Sequence, residues 1–111
     1  MTTPKITDLH EVAGRLLGEA QRAASGRAAE TVVSGSVQRS TVIALTTDAE
    51  MAEHDSPPAA LLHVISGRVR MHTHDEEWVL GAGQVTSVPS RRHALAALED
   101  SAVLLTVALH G

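Results

Sequence analysis

The stretch ALLHVISGRVRMHTH, Ala60 to His74, decides how this chain is read. Two apolar runs flank Ser66-Gly67, a turn dipeptide, so the segment reads as strand, tight turn, strand. In the second run Val69 and Met71 alternate with Arg68, Arg70 and His72. Successive side chains leave a strand on opposite sides, so Val69 and Met71 are expected in a core, with the arginines, His72 and His74 facing water. His72-Thr73-His74 is then a hairpin tip beside Asp75, Glu76 and Glu77, and a solvated turn is its simplest account.

Outward from this hairpin the pattern repeats. Strands are predicted at Thr31–Val33, Ser40–Thr46, Ala59–Ser66, Arg68–Thr73, Glu77–Leu80, Val85–Val88, His93–Ala97 and Val103–Leu109. Gly, Pro, Ser and Asp clusters separate them, including Ser56-Pro57-Pro58, Gly81-Ala82-Gly83 and Pro89-Ser90. Short strands at close spacing, with no long helical pattern between them, argue for a sandwich or barrel against a parallel α/β sheet. Only the first part of the chain reads otherwise. Ile6, Leu9, Ala13, Leu16, Leu17 and Ala20 recur at helical spacing, predicting a helix from about Ile6 to Ala24. Asp8 with Glu11 resembles a capping box, and Ser25-Gly26 is a plausible stop. The expected organisation is one domain: a helix and lead-in over residues 1–28, then a barrel over 29–111.

Composition narrows the function. Hydrophobic residues make up 43% of the 111, with one Trp and neither Tyr nor Phe, so the core must be aliphatic. Such a chain cannot build the aromatic platforms on which nucleic-acid bases stack. Nine Lys and Arg stand against thirteen Asp and Glu, giving a formal charge of −4, and no basic run suggests a phosphate backbone as partner. The absence of cysteine excludes disulfides, thiolate zinc sites and thiol nucleophiles. The N-terminal MTTPKITDLHE lacks a signal-peptide layout and no apolar run reaches spanning length, so no membrane contact and a cytoplasmic location are expected.

With these elements placed, two segments resemble the signature motifs of the cupin superfamily, in particular its short bacterial single-domain members. The resemblance covers roughly Ser34 to Leu109. The first motif, G-x5-H-x-H-x3-E-x6-G, aligns with Asp48 to Gly67, placing His54 on its first histidine and Gly67 on its closing glycine. The second, G-x5-P-x-G-x2-H-x3-N, aligns with GAGQVTSVPSRRHALAAL, where Gly83, Pro89 and His93 match with one residue fewer between proline and histidine. The resemblance implies an all-β, cupin-type antiparallel β-barrel (a double-stranded β-helix or jelly roll) with one N-terminal α-helix. It also implies a homodimer, and a divalent transition metal such as Zn, Fe, Mn or Ni held by three histidines and a glutamate.

This chain departs from that ligand set. Ser56 stands at the second histidine, Ala60 at the glutamate, Asp48 at the opening glycine and Ala97 at the final asparagine. His54 and His93 remain as the candidate metal ligands, and two imidazoles alone hold a transition metal weakly. Gln38 and His63 are the candidates to complete a ligand-binding site. Strand parity turns His63 outward if Ala60 faces in, and Gln38 is a better hydrogen-bond partner than metal ligand. Three readings of function stay open. One is a barrel binding a small molecule near His54 and His93, with or without a metal. The second is a metal-dependent enzyme of the oxygenase or isomerase kind. Lys5 is the only lysine and there is no tyrosine, so its acid–base work would fall on histidine or a carboxylate, yet Glu50 and Glu53 lie beside His54 near a turn. The third is a non-catalytic regulatory or interaction protein. Nucleic acid is not expected as its partner, because the one helix has no paired recognition helix with basic residues.

Overall fold

Asp8 starts the only helix of the described residues by accepting hydrogen bonds from the His10 and Glu11 amides at 3.0 and 3.2 Å. Those amides have no partner inside the first turn, so a short acidic side chain there stabilises the helix end. Helix α1 therefore spans Leu9–Arg22. It begins three residues later than the apolar spacing predicts. Ile6 precedes the cap and is 94% exposed. The computed structural model describes residues 4–54 and 58–109, and the side chains of all of these except 52–54.

Strands β1 (Arg27–Ser34), β2 (Gln38–Leu45), β9 (Ser101–Ala108), β4 (Ala60–Ser66) and β7 (Val85–Ser87) form one antiparallel sheet in that spatial order. Strands β3 (Glu50–His54), β8 (His93–Ala97), β5 (Arg68–His72) and β6 (Glu77–Gly81) form the second. The chain is thus mostly antiparallel β structure with one helix, as the sequence pattern predicts. Alternate residues of the five-stranded sheet serve two separate cores. Ile43 and Leu45 of β2, Leu62 and Val64 of β4 and Val103 of β9 pack against Val69, Met71, Leu80 and Leu95 of the other sheet. Their neighbours Val42, Ala44, Ile65 and Ala102 pack against Val12, Ala13, Leu16 and Ala20 of α1. Truncating a side chain as deep as Leu16 or Leu62 to alanine costs about 2–5 kcal/mol, so both the helix–sheet and the sheet–sheet contacts help hold the fold.

One strand escapes the sequence reading. The β3 segment, Glu-Met-Ala-Glu-His, has no β-branched residue and reads as a turn region around His54. Its partner makes it a strand: Glu50 and Met51 pair with Ala96 and Leu95 of β8. The Asp48 amide to Ala97 carbonyl bond, at 2.9 Å, starts that ladder. Asp48, at the position of the motif's opening glycine, has φ +70°, a conformation short polar side chains tolerate. The first strand is longer than predicted, because Arg27–Glu30 continue the pairing to β2 from Leu45 to Val42.

Two devices hold the turns between layers. Gly67, with φ +83°, lets β4 pass directly into β5 on the other sheet. A side chain there would overlap the Asp100 carbonyl and Ser101 Oγ and lie 2.7 Å from Ser101 Cα. Ser101 is fully buried. Its hydroxyl accepts from the Arg68 amide at 2.9 Å and donates to the Glu99 carbonyl at 2.7 Å. The adjacent Asp100 carboxylate accepts from the Thr47 amide and hydroxyl at 2.8 and 3.0 Å and from Gln21 at 3.2 Å. It joins the β8–β9 turn to the β2–β3 connection and to α1. The Thr47 amide bond, then those of Gln21 and the Thr47 hydroxyl, hold the Asp100 carboxyl below the usual carboxylate range.

Two predictions follow from these turns. Gly67→Ala combines positive φ with overlap against backbone, and should cost roughly 2–4 kcal/mol. Thermal unfolding followed by circular dichroism should show a midpoint fall above about 10 °C; a fall of a degree or two rules out the close approach. For Asp100→Asn the pH dependence is diagnostic. A depressed folded-state pKa stabilises above the unfolded value and loses that contribution as pH falls through the folded one. The variant should therefore be the less stable protein at neutral pH, with the gap to wild type closing below about pH 4. Parallel stability curves across that range contradict the assignment.

Candidate functional site

His93 opens β8 after the Pro89–Arg92 loop and is 5% exposed. Its Nδ1 lies 2.9 Å from the Arg91 carbonyl. A carbonyl only accepts, so Nδ1 carries the hydrogen, and in the neutral ring Nε2 carries the lone pair. The loop that supplies this carbonyl is itself held. Arg91 donates to Asp75 at 3.1 Å and to Glu76, both in the β5–β6 turn. That turn is closed by the Thr73 amide on the Glu76 carbonyl at 2.8 Å and by the Glu76 amide on the Thr73 hydroxyl at 3.2 Å. Arg91 thus fastens one loop to another. The pairs are solvent-exposed, so salt screens them.

The ring of His93 borders the end of the space between the sheets. Ile43, Leu62 and Leu105 line it from the five-stranded sheet, and Met51, Met71 and Leu95 from the four-stranded sheet, with Val88 between. Among the described residues lining it, His93 alone carries a nitrogen or oxygen in its side chain. The free volume is about 20 Å³, room for one water molecule or one ion. His54 is the register partner of His93 across the β3–β8 ladder, after an irregularity between Met51 and His54. The two motif histidines, distant in sequence, are therefore opposite one another in the backbone.

The other candidates lie elsewhere. His63 sits between Leu62 and Val64, pairs with Leu104 and Val85, and is on the face of β4 turned away from the inter-sheet core, as strand parity requires. Gln38 begins β2 opposite Ala108 and is exposed. It borders a surface groove with Val37, Leu61 and Ser87. Neither is brought to His93. Ala60 pairs with Val107 at the start of β4 and supplies no donor atom. Ser56 lies outside the described residues. Among the described residues no three His, Asp or Glu side chains converge. The described residues therefore do not fit the three-histidine, one-glutamate set of the divalent metal that the cupin resemblance implies.

On the far side of the four-stranded sheet, His74 is exposed and His72 half-buried, and His72 Nε2 has no hydrogen-bond partner among the described residues. Trp78 pairs with Met71 and packs against the inter-sheet core as an anchor. The lining role of Met51 and the Arg91 anchor were not legible in the sequence. Met51 lies in the strand that reads as a turn, and ion pairs between two loops leave no periodic signal.

No protein-family model matches the chain, and no curated protein does. Solved structures match throughout. A conserved protein of unknown function from Streptococcus pyogenes is similar with a TM-score of 0.72 and 25% identity over 97% of this chain and 90% of its own. A cupin superfamily protein from Desulfitobacterium hafniense DCB-2 is similar at 0.70, with 14% identity over 75% and 77% of the two chains. KdgF from Halomonas sp. is similar at 0.68, with 18% identity over 77% and 80%. Among the described residues no helix is long and apolar enough to cross a membrane. Two facing antiparallel sheets, the glycine crossover at Gly67, histidines opposed across β3 and β8, and these neighbours together give the chain the fold of a small cupin.

Proposed function

We propose that the protein is a non-catalytic binding barrel whose small ligand meets His93, with His54 beside it, at the end of the inter-sheet space. One observation carries this reading: among the described residues lining the pocket, a buried imidazole of defined tautomer is the one nitrogen- or oxygen-bearing side chain. The pocket volume restricts that ligand to an ion or a few atoms unless the unbranched side chains of Met51 and Met71 move aside. Of the acid–base groups an oxygenase- or isomerase-like enzyme would use, the described lining residues offer the His93 imidazole, with no carboxylate or lysine beside it. The reading includes a homodimer. Leu61 and Val85 remain exposed at 41% and 60%, and a second copy laid on the outer face of the five-stranded sheet would cover them.

Native mass spectrometry with elemental analysis, on protein purified without an affinity tag, tests both parts. A non-covalent adduct or a stoichiometric element is expected on wild type and not on His93→Gln, with circular dichroism unchanged between them. No adduct on wild type, or the same adduct on both proteins, defeats the binding reading. A purely monomeric mass at micromolar concentration defeats the homodimer.

A further inference from the structure

We propose that the open side of the sandwich, between β1 and β3, is a second binding site. Its ligand is a monocarboxylate with a linear apolar tail, held at the head by Arg27. The site stands apart from the His93 pocket and takes nothing from that ring.

Two sheets of unequal width create the cleft. β1 is the outermost strand of the five-stranded sheet, whereas the four-stranded sheet ends at β3. Arg27, Ala29 and Thr31 of β1 pair with Leu45, Ile43 and Thr41 of β2. Ile43 and Leu45 belong to the inter-sheet core, and paired residues share a face, so Arg27, Ala29 and Thr31 are on the inter-sheet side of β1. They are exposed nonetheless, since the narrower sheet stops short of them. The space left is about 360 Å³, within the range of small-molecule sites. Ala29 and Ile43 line it from one sheet and Met51 from the other. The Thr41 hydroxyl in its wall is bonded to that of Thr31 at 3.2 Å.

Among the described lining residues Arg27 alone is charged. Its Nη1 donates to the Glu50 carbonyl at 3.3 Å, reaching from β1 across to the start of β3. That end of β3 is the one remote from His54. Arg15, Arg70 and Arg91 each pair with carboxylates, but no described carboxylate pairs with Arg27. A guanidinium carries five N–H donors in a planar fork that matches a carboxylate, and the Glu50 carbonyl engages only one nitrogen of it.

These features specify the ligand. Apolar walls with a single cation at one end suit an anionic head on an apolar body. One guanidinium matches one carboxylate, and the chain's formal charge of −4 opposes a multiply charged head. Affinity should then rise with tail length until the cleft is filled, because each methylene removed from water contributes. The other conceivable occupant is a strand of a second copy laid along the β1 edge, and the experiment separates the two.

The full chain is titrated with octanoate, butyrate and octylammonium by calorimetry, with backbone amide shifts followed by NMR. One octanoate per chain is expected, with shifts centred on Arg27, Ala29, Ile43 and Met51. Butyrate, short of tail, and octylammonium, with the wrong charge, should each bind at least about tenfold more weakly. Arg27→Gln should weaken octanoate about tenfold or more. Ala29→Ile fills the cleft with a residue that suits a strand, and should abolish octanoate binding at an unchanged melting temperature. His93→Gln should bind octanoate as wild type does. No binding at millimolar octanoate, equal affinity for octylammonium, or full affinity in Arg27→Gln overturns the proposal. Loss of binding in His93→Gln moves the ligand to the other pocket and overturns it as well. So does a dimer that Ala29→Ile dissociates, because the cleft then belongs to a second copy.

Discussion

Val64 and Ile65 are neighbours in β4, yet Val64 is buried between the sheets and Ile65 under α1. The same division runs through Ile43 and Ala44 of β2 and through Val103 and Ala102 of β9. A strand that buries both faces cannot slip by a single residue, because the slip would exchange two complete sets of core side chains. The β2–β9–β4 ladder is therefore held in register from both sides, and everything else is attached to it. The turn at Gly67 lies at the end of this ladder, close against Ser101 and Asp100, so β5 enters the second sheet at a defined height. Pairing then places β8 beside β5, and β3 beside β8. The opposition of His54 and His93 is thus a remote consequence of which side of β4 is buried.

The same constraint explains what could be read in advance. Alternation around Ser66-Gly67 displays β4 and β5 plainly, since one face of β5 stays wet. The face of His63 follows from strand period alone. β3 was hidden because nothing in Glu-Met-Ala-Glu-His prefers an extended backbone; the strand exists through its pairing with β8, a contact more than forty residues away in the chain. For the same reason Gln38 looked like a candidate. Its strand passes the inter-sheet space, but its own position is at the outer end of that strand, opposite Ala108. Side-chain chemistry was legible in the sequence, and distance along the strand was not.

At the site, the departures from the cupin motif change the physics more than the count of ligands suggests. Ala60, in place of a carboxylate, removes the negative charge that would balance a bound cation. The described neighbouring positions carry aliphatic and thioether groups. Among the described lining residues, polarisable aliphatic and thioether side chains surround the His93 imidazole, and no carboxylate, lysine or arginine is present. That the cupin fold hosts so different a lining is ordinary, because the ladder that supports it makes no demand on the residues at its open end.

The loop carrying His93 adds a last consequence. Its anchor is a set of exposed ion pairs between Arg91 and the acidic β5–β6 turn, whereas the ring itself is buried. Exposed pairs weaken as ionic strength rises, and buried packing does not. Loosening of the anchor would therefore begin at the Arg91 carbonyl, the atom that sets the His93 tautomer, while the core beneath kept its shape. The Arg91 anchor is therefore sensitive to salt, whereas the packing around the buried ring is not.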